Sequence, residues 1–336
     1  MRRRLRGLGW NSTQRRPRAP WRLLVGAVVL VAAGVAGVLA ASALAATAGS
    51  TAPPTVVAVV GTTAQTLPYA AFIGGIVAAA VLVDRRRLRD FGLARSRAWW
   101  ADLGFGLALG VALPGLVFAV ELAAGFVTVS GFVHFRPDAS LPVAAGVPAP
   151  LALALVVVFF VGVGVFEELL FRGYLLRNVA EGLAGWRGTT PRTALSVAAA
   201  VTSVLFGAGH AANPSATVLS TANIVVYGGL FAASYLLTDR LGVAIGLHIA
   251  WNFAVSSVFG FPVSGFTTPV TLVAVEQSGP PTLTGGPFGP EGGLVALVGL
   301  AVGAGALAWW VRRTEGELRW REAAARPTLR AADGED

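Results

Sequence analysis

The segment VFEELLFRGY, residues 165–174, sets two adjacent glutamates, Glu167 and Glu168, and one arginine, Arg172, at the end of an otherwise apolar run. The other polar residues inside apolar runs are few: Glu121, His210, Asn223, Tyr227, His248 and Asn252. A charge placed in hydrocarbon costs about 2.5–3.5 kcal/mol even on the mildest scale, so ionisable residues in such runs mark candidate functional sites. Side chains three or four positions apart share a helix face. Glu168 and Arg172 have that spacing and can neutralise each other, which leaves Glu167, about 100° round the helix, as the free carboxylate. His248 and Asn252 have the same spacing, and Phe206 stands one turn before His210. A carboxylate, two imidazoles and an amide converging in a dry interior can activate water, because burial and mutual contact tune a carboxylate toward a general base.

Composition decides which elements must position these groups. Of 336 residues 55% are hydrophobic and only 13% charged, with a mean hydropathy of +0.68, against about a quarter charged in soluble domains. The chain reads as an integral membrane protein, all-α, a polytopic transmembrane helix bundle of about eight spans. The predicted spans lie near 23–46, 67–83, 103–128, 150–170, 193–210, 218–237, 241–259 and 293–311. The expected organisation is a basic N-terminus 1–22, three spans over 23–128, a four-span core over 150–259, an outer loop 260–292, a last span 293–311 and a tail 312–336. The absence of cysteine excludes disulfides, thiolate metal sites and a cysteine nucleophile. All 26 basic residues are arginine. Despite the net charge of +9 they form no nucleic-acid face, because they sit in blocks flanking the apolar runs.

The blocks also give an orientation. Arg2, Arg3, Arg4, Arg6, Arg15, Arg16, Arg18 and Arg22 precede the first span, Arg85–Arg87 and Arg89 follow the second, Arg177, Arg187 and Arg192 the fourth, Arg240 the sixth, and Arg312 and Arg313 the eighth. The alternate loops hold only Arg136, so the positive-inside rule places both termini in the cytoplasm of a multi-pass cell-membrane protein. Trp21, Trp99, Trp100, Trp309 and Trp310 flank span ends as an interfacial belt would. The first run, with Ala43, Leu44 and Ala45 near its end, resembles a signal peptide, but its apolar part exceeds the usual ~7–15 residues and favours a retained span. Loop 260–292, rich in proline and glycine, reads as irregular, and the tail after Arg313 as a helix end followed by disorder. Gly106 and Gly110 form a small-xxx-small pair that does not by itself imply a dimer. One conflict stands. Measured from the nearest arginines, His248 and Glu167 lie about 12 and 15 Å deep, whereas His210 lies about 27 Å from Arg192. Either the fifth helix begins well outside the membrane on the arginine-rich side, or the 211–217 turn is buried in protein.

Three motifs in order, EELLFR as Glu-Glu-x-x-x-Arg, FGAGH as Phe-x-x-x-His and HIAWN as His-x-x-x-Asn, resemble the CPBP family of intramembrane proteases, over residues 165–253. That family includes type II CAAX prenyl endopeptidases, bacteriocin-processing enzymes and lysostaphin-resistance-like proteins. The resemblance implies that Glu167 polarises the attacking water with Glu168 and Arg172 in support, that His210 helps to hold the water, and that His248 and Asn252 hold the oxyanion. It implies a membrane-embedded or lipid-anchored peptide substrate, a CAAX-type protein or a bacteriocin or other peptide precursor, met within the lipid bilayer. It leaves the cofactor open, none or zinc; the soluble His-Glu-x-x-His zinc motif is absent. Blander readings stand beside these roles. Glu168 with Arg172 is also what a structural ion pair looks like, Glu121 reads as a partner within the bundle, and Asn223 and Tyr227 read as interhelical hydrogen-bonding groups. Two other function classes fit the composition, a non-catalytic immunity or scaffold protein of the same fold and a proton-coupled transporter. A proton relay, however, needs no amide one turn from a histidine.

Overall fold

The structure, a computed structural model, describes residues 9–49, 51–140, 146–326 and 329. Arg2, Arg3, Arg4 and Arg6 of the predicted basic N-terminus, and most of the tail beyond Arg326, lie outside the described residues. The chain is an all-α bundle in which each predicted run falls on a helix, although α2 begins well before the predicted 67, inside the stretch 47–66 read as a loop: α1 Ala19–Ala45, α2 Pro54–Val83, α3 Arg97–Ala123, α4 Ala149–Leu183, α5 Pro191–His210, α6 Val218–Thr238, α7 Gly242–Val258 and α8 Ala296–Glu315. The six helices α1–α6 are long and apolar enough to cross a membrane. α7 is shorter, and α8 ends on the charged pair Arg312 and Arg313.

Local chemistry explains the starts. Pro20, Pro54, Pro150 and Pro191 occupy first turns, where the missing N–H costs nothing. The Ser96 and Thr190 hydroxyls cap α3 and α5 by accepting from the Trp99 and Thr193 N–H groups, and Thr217 and Ser220 form a capping box on α6. A π-helical stretch, Leu169–Leu176, follows the glutamate pair directly within α4, a distortion frequent at functional sites.

The tightest seam in the bundle joins α3 to α7. A Cβ on Gly106 would lie 2.4 Å from the Val243 carbonyl oxygen, and one on Gly246 would lie 2.4 Å from that of Leu103. Gly110 and Gly242 repeat the arrangement one turn away on each helix. The small-residue pair is therefore used inside the chain, and it fixes the register of the helix that carries His248 and Asn252.

Outside the helices two expectations fail. The third run stops at Ala123, where Gly125 takes a left-handed conformation, and β3, Val127–Phe135, follows it; β1 and β2 are a two-residue ladder of Trp10–Asn11 with Arg16–Pro17. β3 pairs antiparallel with β4, Val270–Gln277, from Val127 opposite Gln277 to Phe135 opposite Val270, so the 260–292 segment is not irregular throughout. Each strand needs a partner far away in the sequence, which no local pattern announces. The tail also departs from disorder over 316–326: Glu315 pairs with Arg240 and Arg321 at 2.5 Å each, the Arg321 N–H donates to the Leu236 carbonyl, and Ala324 and Ala325 are buried.

Three of the arginines read as topology signals are buried in an ion cluster. Arg16 and Arg22 each reach Glu181 Oε2 at 3.0 Å, Arg86 pairs with Asp84 and Glu181, and Asn178 links Arg22 to Asp84. Burial, opposed by Glu181, holds the Arg16 guanidinium down at about 10, and burial, opposed by Arg86, pushes the Asp84 carboxyl up. Arg177 is likewise buried, paired with Tyr235 and Asp239 in the middle of a helix that continues to Leu183. Arg177 is therefore a poor reference point for depth, and the ends of the helices serve better. From Glu167 to the end of α4 is about 24 Å, and from the start of α5 to His210 about 28 Å. The two helices thus carry Glu167 and His210 over similar lengths from the α4–α5 turn.

Candidate active site

All six candidate residues come together at the junction of α4, α5 and α7. On α4, Glu168 is fully buried, and its Oε1 accepts from Arg172 Nη1 at 2.9 Å. The same oxygen lies 2.8 Å from His248 Nδ1 on α7. A carboxylate only accepts, so that ring nitrogen carries the hydrogen and Nε2 points the other way. Arg172, also fully buried, donates its second terminal nitrogen to the Gly228 carbonyl at 3.0 Å and lies over the rings of Phe206 and Phe231, 4.5 and 5.1 Å from their centroids. Glu168 thus links Arg172 to His248.

His210 is oriented by its own helix. Its Nδ1 is 2.8 Å from the Phe206 carbonyl oxygen, an acceptor, so Nδ1 donates and Nε2 is left facing the site. Phe206 also packs against both imidazoles, 4.7 Å from His210 and 6.0 Å from His248 between centroids, and Phe231 stacks on His248 at 5.2 Å. Phe206 is therefore the packing residue that sets the two rings relative to each other.

Between the rings stands Glu167. Its Oε2 is buried, has no hydrogen-bond partner among the described residues, and lies 3.7 Å from His248 Nε2 and 4.0 Å from His210 Nε2. Glu167, both histidines and Asn252 line one cavity of about 500 Å³, whose lining also includes the aromatic side chains of Tyr69, Phe159 and Phe166. One buried carboxylate oxygen facing two imidazole nitrogens at slightly more than hydrogen-bond distance is a geometry that a single small polar molecule can bridge. The donor types, two imidazoles and a carboxylate, would suit zinc. Among the described residues, however, no group of three or more His, Cys, Asp or Glu is arranged to hold a metal ion.

Sequence reasoning missed one charged wall residue. Glu291, between Pro290 and Gly292 in the 260–292 segment, is buried against the same cavity. Its Oε1 accepts from Trp251 Nε1 at 2.8 Å, and its Oε2 accepts from the Ser264 N–H and hydroxyl at 2.7 and 3.0 Å. Burial pushes its carboxyl up, against these donors. A glutamate in a Pro- and Gly-rich loop looks like any solvated loop residue, so the sequence carries no signal for it. Asn223 Nδ2 donates to the carbonyls of Glu291 and Gly293, outside the eight helices, whereas Tyr227 donates to that of Ala296 at the start of α8, the interhelical hydrogen bond expected of it. Glu121, fully buried, accepts at 3.4 Å from Gln277 of β4, away from the site.

Residues 149–254 match the family model described as type II CAAX prenyl endopeptidase Rce1-like. The matched segment holds Glu167, Glu168, Arg172, His210, His248 and Asn252, and it agrees with the family resemblance carried by the three motifs. Glu291 lies beyond it. No curated protein and no solved structure matches the chain.

Proposed function

We propose that the chain is an intramembrane endopeptidase that hydrolyses a peptide bond of a membrane-embedded or lipid-anchored substrate, CAAX-type or a peptide precursor, with a water activated by Glu167. The observation that carries this reading is the unpartnered, buried Oε2 of Glu167 between two imidazole Nε2 atoms on the wall of a cavity. The Rce1-like match supports proteolysis as the reaction class.

The chemistry follows from which atoms can donate. With His210 Nδ1–H committed to the Phe206 carbonyl, its Nε2 is an acceptor, as is Glu167 Oε2. A water between them gives one hydrogen to each and keeps a lone pair for the scissile carbonyl carbon. As the C–O bond forms, its proton passes to Glu167, and the carbonyl π electrons move to the oxygen. The set Glu167, Glu168 and Arg172, the last two fully buried, sums to one negative charge, which a proton on His248 cancels. His248 Nε2–H and the Asn252 amide then form the donor pair for the oxyanion, with Glu168 and Arg172 holding His248 in place. Collapse of the tetrahedral species breaks the C–N bond, and Glu167 returns its proton to the leaving nitrogen. Replacing Glu167 by Gln removes the base while keeping its shape, so the folded variant should lose hydrolysis of any peptide the wild type cleaves.

A further inference from the structure

We propose that Tyr69, on α2 and outside the matched segment 149–254, is a substrate-positioning residue: its hydroxyl donates a hydrogen bond to a main-chain carbonyl of the bound peptide other than the scissile one. This inference rests on the reading of the site as a peptide-bond hydrolase and deepens it by naming a further contact to the substrate.

The hydroxyls on the cavity wall single this residue out. Tyr227 donates to the Ala296 carbonyl, Ser264 to Glu291 and Thr268 to the Val270 carbonyl, while Ser140 and Thr267 bond to each other. Each of those oxygens is engaged within the protein. The Tyr69 hydroxyl also lines the cavity, yet it has no hydrogen-bond partner among the described residues. A phenylalanine would fill the same space without a polar group to satisfy, so packing alone gives no reason for the oxygen.

The ring that carries the hydroxyl is held by its neighbours. It meets Phe159 edge-on with centroids 5.6 Å apart and Phe166 at 5.9 Å, and Phe166 is stacked in turn on Phe72 at 4.8 Å. α1 closes on the preceding residue, since a Cβ on Gly37 would lie 2.8 Å from the Pro68 Cα. The donor therefore sits on packed helices, as a positioning group must. Phe166 immediately precedes Glu167, and the Glu167 carboxylate is close enough for its charge to act on the Tyr69 hydroxyl. A free donor at that range is available to a peptide lying over Glu167. The scissile carbonyl goes to His248 and Asn252, both on α7. A peptide bound in extended form turns successive carbonyls to opposite sides, so a donor from a different helix can take another carbonyl of the same strand. Two such holds fix both where the scissile bond lies and which way it faces.

The test uses the full chain in lipid nanodiscs, with a quenched-fluorescent farnesylated CAAX-type peptide as the probe. Tyr69→Phe keeps the ring contacts and removes only the oxygen, so the variant should unfold where the wild type does. Its KM should rise about tenfold with kcat within about threefold, the signature of a hydrogen bond made equally in the bound and transition states. A series of the same peptide, each member with one amide replaced by a trans-alkene, locates the carbonyl. At one position away from the scissile bond, the replacement should lower kcat/KM about tenfold more in the wild type than in Tyr69→Phe. Wild-type constants in Tyr69→Phe, a loss confined to kcat, or equal costs at every position overturns the inference. Binding of the probe to the Glu167→Gln protein and to Glu167→Gln/Tyr69→Phe, read by fluorescence anisotropy, tests the contact apart from catalysis. About tenfold weaker binding by the double variant, with no hydrolysis by the wild type, overturns the protease reading and leaves the contact standing. Equal binding by the two, or binding by neither, overturns the contact.

Discussion

Replacing Glu168 by Gln tests the ion pair beneath the site, because it keeps the side chain's shape and removes only its charge. In the wild type Glu168 Oε1 takes hydrogen bonds from both Arg172 and His248, at 2.9 and 2.8 Å, with Glu168 and Arg172 both fully buried. In the variant Arg172 keeps the Gly228 carbonyl and the Phe206 and Phe231 faces but loses its counter-charge. Breaking a buried pair by removing one partner costs about 3–5 kcal/mol. The remaining carbonyl and ring contacts place the expected loss near the lower end, about 3 kcal/mol. Removing the stranded cation as well should recover part of it, so the double variant Glu168→Gln/Arg172→Gln should be more stable than the sum of the singles predicts, by about 2 kcal/mol. Unfolding in mixed detergent micelles, followed by far-ultraviolet circular dichroism, gives all four corners of the cycle. Hydrolysis should fall about a hundredfold in Glu168→Gln, because His248 loses the group that fixes its ring. Additive stabilities, or a Glu168→Gln protein as stable and as active as the wild type, would show that the pair neither holds the helices nor positions His248.

Three further outcomes are expected. Gly246→Ala should destabilise by about 3 kcal/mol in the same unfolding assay, since its methyl would sit 2.4 Å from the Leu103 carbonyl oxygen, whereas Gly61→Ala, with nothing within 4 Å, should cost nothing measurable. Hydrolysis should survive exhaustive chelation, with far less than one zinc per chain by elemental analysis; activity lost on stripping and restored by stoichiometric zinc would instead establish a metalloprotease. A reporter fused after Arg313 should be active only in its cytoplasmic form, and activity on the opposite side would reverse the orientation read from the arginines.

Much of the bundle was legible because a membrane span is a matter of length and apolarity, and every predicted run holds a helix. The site was legible for a similar reason: Glu168 with Arg172, Phe206 with His210 and His248 with Asn252 are each one helical turn apart, so spacing alone names the shared faces. The β3–β4 pairing and the role of Glu291 were not, because each depends on partners far off in the sequence, as Trp251 and Ser264 are for Glu291. The arginines misled in a more specific way. The positive-inside rule counts charge and not contact, so it cannot tell an interfacial arginine from Arg16, Arg22 or Arg177, whose acidic partners lie on other elements. Measured from the end of α4 instead of from Arg177, Glu167 lies about as far along its helix from the α4–α5 turn as His210 does along α5.

The central claim is that Glu167 activates the attacking water, and single-turnover hydrolysis by Glu167→Gln tests it most directly. The protein should fold, insert and bind a cleavable peptide as the wild type does, because Glu167 Oε2 has no hydrogen-bond partner among the described residues to lose. Its rate should fall by at least about a thousandfold, to the level left when a general base is removed. A Glu167→Gln protein that cleaves the same peptide at the wild-type rate would contradict the account.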